Sequence, residues 1–416
     1  YAYMLGDDGA SVKNASQLID LGPKATDEQM NTLGVKATDD KTLVVELNNK
    51  VPYFTDLMAF PCYFPQNEKF VEKCGKNYGT KPEYTLSNGA YTMTKWIKGN
   101  KATFTKNDKY YDAKAVKTKN LEMFLVQDPK TAAQNFDNGK VDYATINSTL
   151  VDKYKGKDTF TTFNEGYLFY LQVNFKNNTV ANKNVREALA YAINRKDLCE
   201  NVLKDGSMAA TGFVPSQLSK SPAGKDFRDD ADKYVSYDQK KAQEYLDAAK
   251  KELGTDTITI DLLYGTDESP MDTMAEYLQG SFSKLKGLKV NMVATVKKDR
   301  IYNREANGNF QVVCTRWGPD YADPTTYLNL ALTDNSNNYG KYANAKFDAL
   351  MEQIQKESDL TKRWDLMIQA EKVMMEDMAY IPVFEKGSAA LKAKNVKGLV
   401  VVPVGTPYTF KYVKLK

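Results

Sequence analysis

The sequence predicts an α/β protein folded as two lobes. Three observations carry that reading. Residues 257–292 run strand, helix, strand at the spacing of a βαβ unit with a parallel pair. The chain before residue 167 reads instead as short strands joined by tight turns, with few helices. Residues 387–416 return to that strand-rich character after a helical stretch, so the chain is expected to finish in the lobe where it began.

The elements follow in order. A turn at Thr38, Asp39 and Asp40 leads into a β-branched strand over 42–47. Residues 52–65, bounded by prolines and rich in aromatics, read as irregular. The Ser87-Asn88-Gly89 turn opens alternating residues through Trp96, and Asn100 with 102–105 completes a hairpin. Strands are predicted over 121–126 and 143–146, with a short helix over 131–136 between them. An aromatic strand covers 167–174. A helix begins at Asn184, with Val185, Ala188, Leu189, Ala192 and Ile193 on one face. Ser236 and Gln239 have capping-box spacing before a helix that buries Ala242, Tyr245, Leu246, Ala249 and Leu253, and Gly254 is its expected C-cap. In the βαβ unit, Met271, Met274, Ala275, Leu278, Phe282 and Leu285 share a helix face, and Leu288, Val290 and Met292 alternate along the second strand. A strand over 310–315 and helices over 346–357 and 361–377 follow. Pro382 closes the helical run, and 383–384 and 400–404 read as extended.

Composition narrows the function. The 416 residues allow two or three domains with a full hydrophobic core. The 57 basic and 53 acidic residues are interspersed, which leaves no nucleic-acid footprint. No apolar run approaches the roughly 20 residues that a membrane helix needs. The start at Tyr1 carries neither an initiator Met nor a signal peptide, so a processed or partial chain is expected. There is no histidine, which removes the commonest general base near neutral pH, Ser–His and Cys–His nucleophiles, and imidazole metal ligands. Cys62, Cys74, Cys199 and Cys314 include no Cys-x-x-Cys pair, so no metal or cofactor is expected. Cys62 and Cys74 are close enough along the chain for a disulfide, but free, mostly buried thiols are the favoured reading.

The most unusual stretch runs from Cys314 to Leu328. It follows a strand and gathers Trp317, Tyr321 and Tyr327 among Gly318, Pro319, Pro324, Asp320 and Asp323. One reading is a ligand platform at a strand end, where Asp320 pairs with a cation and the bare backbone of Gly318 allows close approach. The other is a tight turn begun by Asp323-Pro324 with aromatic hinge packing.

This stretch resembles the Trp-x-x-Asp-Tyr-x-x-Pro-x-x-Phe/Tyr-Leu signature of family 5 extracellular solute-binding proteins, the oligopeptide and dipeptide receptors of ABC importers. Further similarities occur in the family's order: residues 33–47, Ser87 through Tyr91 with Trp96, Asn107 through Asp112, Asn184 through Arg195, and Asn338 with Tyr342 and Phe347-Asp348. The resemblance implies a class II periplasmic-binding-protein fold with a hinge and a central ligand cleft. By that analogy residues 1–36 are the remnant of a small extra domain, 37–168 and 387–416 form lobe I, and 169–386 form lobe II. A first segment of the family pattern is not present in this sequence.

The resemblance implies a peptide held extended between the lobes, with weak side-chain discrimination through hydrated pockets. Asp320 matches the aspartate that binds the peptide's α-ammonium. Gly318 and Arg316 match positions whose backbone meets the peptide, and Trp317, Tyr321, Gln172 and Asn338 are expected among the ligand-binding residues as well. Gln172 stands where some receptors have a glutamate. Cys314 stands where some have a carboxylate-binding arginine, and Arg316 shares its strand face as a substitute. The implied partners are a short peptide and the permease of an ABC transporter. The implied state is a monomeric, extracytoplasmic protein, periplasmic or held at the cell surface by a lipid anchor. Rival readings are an oligosaccharide or chelated metal on the same fold and, more distantly, an enzyme using Asp320 and Asp323 as an acid–base pair.

Overall fold

Short polar side chains set where the longer helices begin. Asn344 caps helix Ala345–Lys356 by accepting from the amides of Lys346 and Phe347, and Asp359 caps Leu360–Glu376 in the same way through Thr361 and Lys362. These contacts satisfy amides that the first helical turn leaves without partners. Helix Gln239–Leu253 departs from expectation. Its cap is Asp238, whose carboxylate accepts from Lys240 and Lys241, so the Ser236–Gln239 box does not form. A carboxylate at the cap is a strong acceptor and also complements the positive end of the helix dipole. Gly254 ends this helix as predicted, in the left-handed region at φ 65°.

The computed structural model describes residues 2–6 and 9–416. Its strands are β1 (Val35–Asp39), β2 (Thr42–Val45), β3 (Tyr91–Ile97), β4 (Lys101–Lys106), β5 (Asn120–Phe124), β6 (Tyr143–Ile146), β7 (Phe160–Val173), β8 (Met208–Ala209), β9 (Ile258–Gly265), β10 (Leu288–Thr295), β11 (Val312–Trp317) and β12 (Tyr380–Lys392), followed by two-residue strands near the C-terminus. The chain divides into two compact units, one of Tyr1–Cys62, Gly166–Val202 and Ser207–Lys386, the other of Tyr63–Glu165, Leu203–Gly206 and Gly387–Lys416.

In the first unit the strands follow the order β10-β9-β11-β7-β12, with β8 paired to β12. The pairs β9–β10 and β9–β11 are parallel, while β7 lies antiparallel to β11 with Arg316 opposite Phe169 and Trp317 opposite Leu168. Helix Met271–Phe282 makes the predicted crossover between β9 and β10 and buries Met271, Met274, Ala275, Leu278 and Phe282. The second unit holds the antiparallel sheet β3-β4-β5. It also has a core of Ala133, Ile146, Val151, Tyr154, Ala389 and Leu391, which joins helix Pro129–Asp137 to β6 and the far end of β12. Its C-terminal segment is tied down by a Lys411–Asp112 ion pair at 2.7 Å and by the Thr118 hydroxyl on the Val413 carbonyl.

The unit boundaries depart from the sequence-based expectation at the start of the chain. That expectation groups residues 37–62 with 63–168 and sets 1–36 apart as a remnant; both cluster instead with 166–202 and 207–386. The reason lies in their hydrogen bonds. The backbone amides of Lys13, Gly34 and Asn48 donate to the carbonyls of Glu46, Lys13 and Ser11, which knits the β1–β2 hairpin to the residues before it. Tyr53 then stacks on Tyr321 with ring centroids 4.2 Å apart, fixing this layer to the first unit. All four cysteines are free; Cys62 is exposed and the other three are buried. No helix among the described residues is long and apolar enough to cross a membrane.

Replacing Asp238 by Ala should lower stability by about 1 kcal/mol, whereas Asp238→Asn should remain near the parent. Guanidinium unfolding followed by circular dichroism measures the difference.

Candidate ligand-binding site

Because β9, β10 and β11 run parallel, their carboxyl ends at Gly265, Thr295 and Trp317 finish at one edge of the first unit. In open α/β sheets the loops at that edge are where ligands bind. The segments leaving these strands carry the polar groups of the site: Glu268 after β9, Lys297 and Arg300 after β10, and Gly318 to Asp323 after β11.

Arg300 ties these loops together. Its Nε and Nη2 donate to Glu268 Oε2 at 3.2 and 2.8 Å, and its Nη1 donates to the Thr315 hydroxyl at 2.9 Å and to Glu305. All three ionic side chains are almost wholly buried. Lys297 and Arg316 approach the other Glu268 oxygen at 3.4 and 3.5 Å, so three cations face two carboxylates. Burial pushes the Glu305 carboxyl up to about 7, against the pull of Arg300.

Arg316 lies over the Tyr167 ring at 4.5 Å and keeps about a quarter of its side chain exposed. Gly318 is required at its position for a reason internal to the fold. A Cβ there would stand 2.4 Å from Cε1 of Tyr167. The ring therefore fills the space that a side chain would take, wedged between Arg316 and the Gly318 backbone.

Asp320 sits in a small, open recess lined by Tyr3, Trp317, Tyr321, Thr326, Asn329, Leu330, Asn335 and Asn337. Its Oδ2 accepts the Tyr3 hydroxyl at 2.8 Å, and its backbone N–H donates to the Thr326 hydroxyl at 3.1 Å. Burial raises the Asp320 carboxyl above the usual range, while the Tyr3 hydrogen bond pulls the other way. The Trp317 indole N–H is buried with no acceptor among the described residues, so the wall of the recess holds a donor in reserve.

The remaining predicted residues divide by role. Tyr321 lines the recess but is buried against Tyr53; its hydroxyl accepts from Asn329 and lies 3.2 Å from the Thr325 hydroxyl. Gln172 is buried on β7 and donates at 3.4 Å to the carbonyl of Asn337, itself a residue of the recess wall. Asn338 is fully buried. Its amide donates to the carbonyls of Leu332 and Tyr342 and its oxygen accepts from the Tyr342 amide, so it shapes the loop and offers no polar atom to a ligand. Asp323 is taken up by Arg363 in a two-pronged ion pair at 2.7 and 2.9 Å, with Thr325 as a further donor. It therefore does not share a site with Asp320 as an acid–base pair would.

Sequence reasoning missed Tyr3, Tyr167, Glu268, Arg300, Glu305 and Arg363. Nothing local marks them. Arg363 lies 40 residues from Asp323 and Tyr3 lies 317 from Asp320. Strand order brings the loops of Glu268, Arg300 and Glu305 together, and helix Leu360–Glu376 and the 3-10 helix Ala2–Leu5 supply Arg363 and Tyr3.

Glu305 gives a signed pH dependence. Its native carboxyl lies above the ordinary 4.5, so between 4.5 and about 7 the folded chain holds a proton that the unfolded chain has lost. The Glu305 contribution is thus fully present below that window and declines as pH rises through it. Across pH 5 to 7 the parent should lose stability relative to Glu305→Gln, read from denaturant midpoints of the two proteins at each pH.

A model of the bacterial extracellular solute-binding proteins, family 5, matches residues 3–339. The chain is 32% identical to a dipeptide-binding protein of Lactococcus lactis, with all of this chain and 77% of that protein covered. It is 31% identical to the oligopeptide-binding protein OppA of Bacillus subtilis, over 91% of this chain and 70% of that one. Among solved structures, OppA of Listeria monocytogenes bound to peptide superposes with a TM-score of 0.81 at 33% identity, covering all of this chain and 80% of that one. From the β1–β2 layer through the Asp320 recess, this chain thus matches one family model, and it belongs to family 5 of the bacterial extracellular solute-binding proteins.

Proposed function

We propose that this chain is the extracytoplasmic receptor of an ABC importer, that it captures short peptides, and that Asp320 takes the peptide's α-ammonium. The observation that carries the residue assignment is the part-buried Asp320 carboxylate in a recess at the carboxyl edge of the parallel strands. A carboxylate whose affinity for protons is raised by burial gains most from a fixed cation, because pairing restores stabilisation that desolvation removed. The peptide-binding names of the relatives support the ligand class. A neutral sugar offers no cation for Asp320, which favours a peptide over an oligosaccharide. The backbone of the peptide would run along strand edges as an added strand does. Arg316, with its guanidinium part-exposed beside Glu268, stands available to an anionic group of the same ligand.

Asp320→Asn should weaken binding of trialanine by about 3–5 kcal/mol, or roughly two to three and a half orders of magnitude in Kd. N-acetyl-trialanine, which lacks the ammonium, should bind weakly to both proteins with little difference between them. Pairing with the ammonium lowers the Asp320 pKa in the complex. Affinity for the free peptide should therefore hold above the raised free-state value and fall by up to about tenfold per unit as pH drops below it. Calorimetry across pH with both peptides measures all of this. Equal losses for the free and acetylated peptides would overturn the ammonium assignment.

A further inference from the structure

We propose that Tyr3 is a positioning residue of the ammonium site, whose hydroxyl fixes the Asp320 carboxylate and directs the ligand's ammonium to the oxygen that Tyr3 does not hold. This rests on the reading that Asp320 takes the ammonium. The geometry is direct. Tyr3 lies in the short 3-10 helix Ala2–Leu5, and its hydroxyl donates to Asp320 Oδ2 at 2.8 Å from across the recess that both residues line. The Asp320 backbone is held from the other side by the Thr326 hydroxyl. A carboxylate clamped at its backbone and at one oxygen has lost its free rotation about χ2. It therefore presents its remaining lone pairs in one direction, and less ordering is needed when the ligand arrives.

The donor is also neutral. A lysine or arginine in its place would cancel the charge of Asp320 and compete with the incoming ammonium. A phenol instead supports the ionised carboxylate and leaves its charge in place. The N-terminal amino group also pulls the Asp320 carboxyl down, whereas the Cys62 thiol and the buried Tyr327 phenol, which feel Asp320 as well, are both raised by desolvation and stay neutral. The recess wall otherwise consists of Trp317, Tyr321, Thr326, Leu330 and asparagines. Within the described residues lining the recess, Asp320 is thus the one carboxylate and Tyr3 its charge-neutral support.

The test is Tyr3→Phe, which keeps the ring and removes only the hydroxyl. It is compared with the parent and with Asp320→Asn, using trialanine and N-acetyl-trialanine between about pH 4 and 8. The expected result is about tenfold weaker binding of trialanine, unchanged binding of the acetylated peptide, and an upward move of the pH at which trialanine binding is lost. Carbon-13 detection of the Asp320 carboxyl should show its titration moving in the same direction in the free protein, a readout that a merely structural role for Tyr3 would leave alone. Superimposable pH profiles for Tyr3→Phe and parent, or tighter trialanine binding by the variant, would overturn the proposal. Failure of the underlying reading is told apart by Asp320→Asn: if that substitution does not separate the free from the acetylated peptide, the ammonium assignment itself falls.

Discussion

The guanidinium of Arg300 reaches three places that the chain visits separately: Glu268 beyond β9, Glu305 in the segment after β10, and Thr315 within β11. Parallel strands do not hold one another's exit loops in register, since each crossover returns the chain to the opposite edge. A planar, permanently charged group with five donors can hold those loops, because its fork fixes both distance and direction. The arrangement is costly in a desolvated interior, and the raised Glu305 carboxyl is a sign of that cost. What it secures is geometry. Thr315 and Arg316 stand next to the recess residues along one strand, so the frame that holds Thr315 also sets where Trp317 and Asp320 emerge.

Two aspartates in the same loop show how environment separates roles. Asp323 is enclosed with Arg363 and Thr325 and stabilises the loop from within. Asp320 faces a recess and is supported by a neutral hydroxyl. In sequence they are equivalent acidic residues beside aromatic and proline neighbours. The difference comes from helix Leu360–Glu376, which brings a guanidinium to one of them and not to the other. Tyr167 makes a related point about Gly318. The missing side chain that suggests access for a ligand is used by the protein's own ring.

Much of the fold can be read from local pattern, because period-2 and period-3.6 burial leave their trace in every few residues. The βαβ crossover, the β3–β4 hairpin and the Gly254 cap are all visible that way. The Asp238 cap is not, since Ser236 with Gln239 satisfies the same spacing rule and only the geometry of the turn decides between them. The placement of residues 37–62 is also hidden, because it depends on the Tyr53–Tyr321 stack between residues far apart in the chain. At the site, the 314–328 segment stands out by composition. The resemblance singles out Asp320 within it, but Asn338, drawn from the same motifs, proves to be an internal loop brace. Motif membership reports that a residue matters; it does not separate contact with a ligand from support of the chain that makes the contact.

The buried carboxylates have a consequence for how this receptor meets a changing environment. With no imidazole anywhere in the chain, mild acidity cannot switch on a positive charge inside it. It can only erase negative ones, beginning with groups such as Glu305 and Asp320 whose surroundings already favour the neutral form. Acidification would therefore ease the burial of these carboxyls while lowering the negative charge of the Asp320 recess. A recess built around such a carboxylate is most negative in neutral surroundings and gives up that charge as they sour.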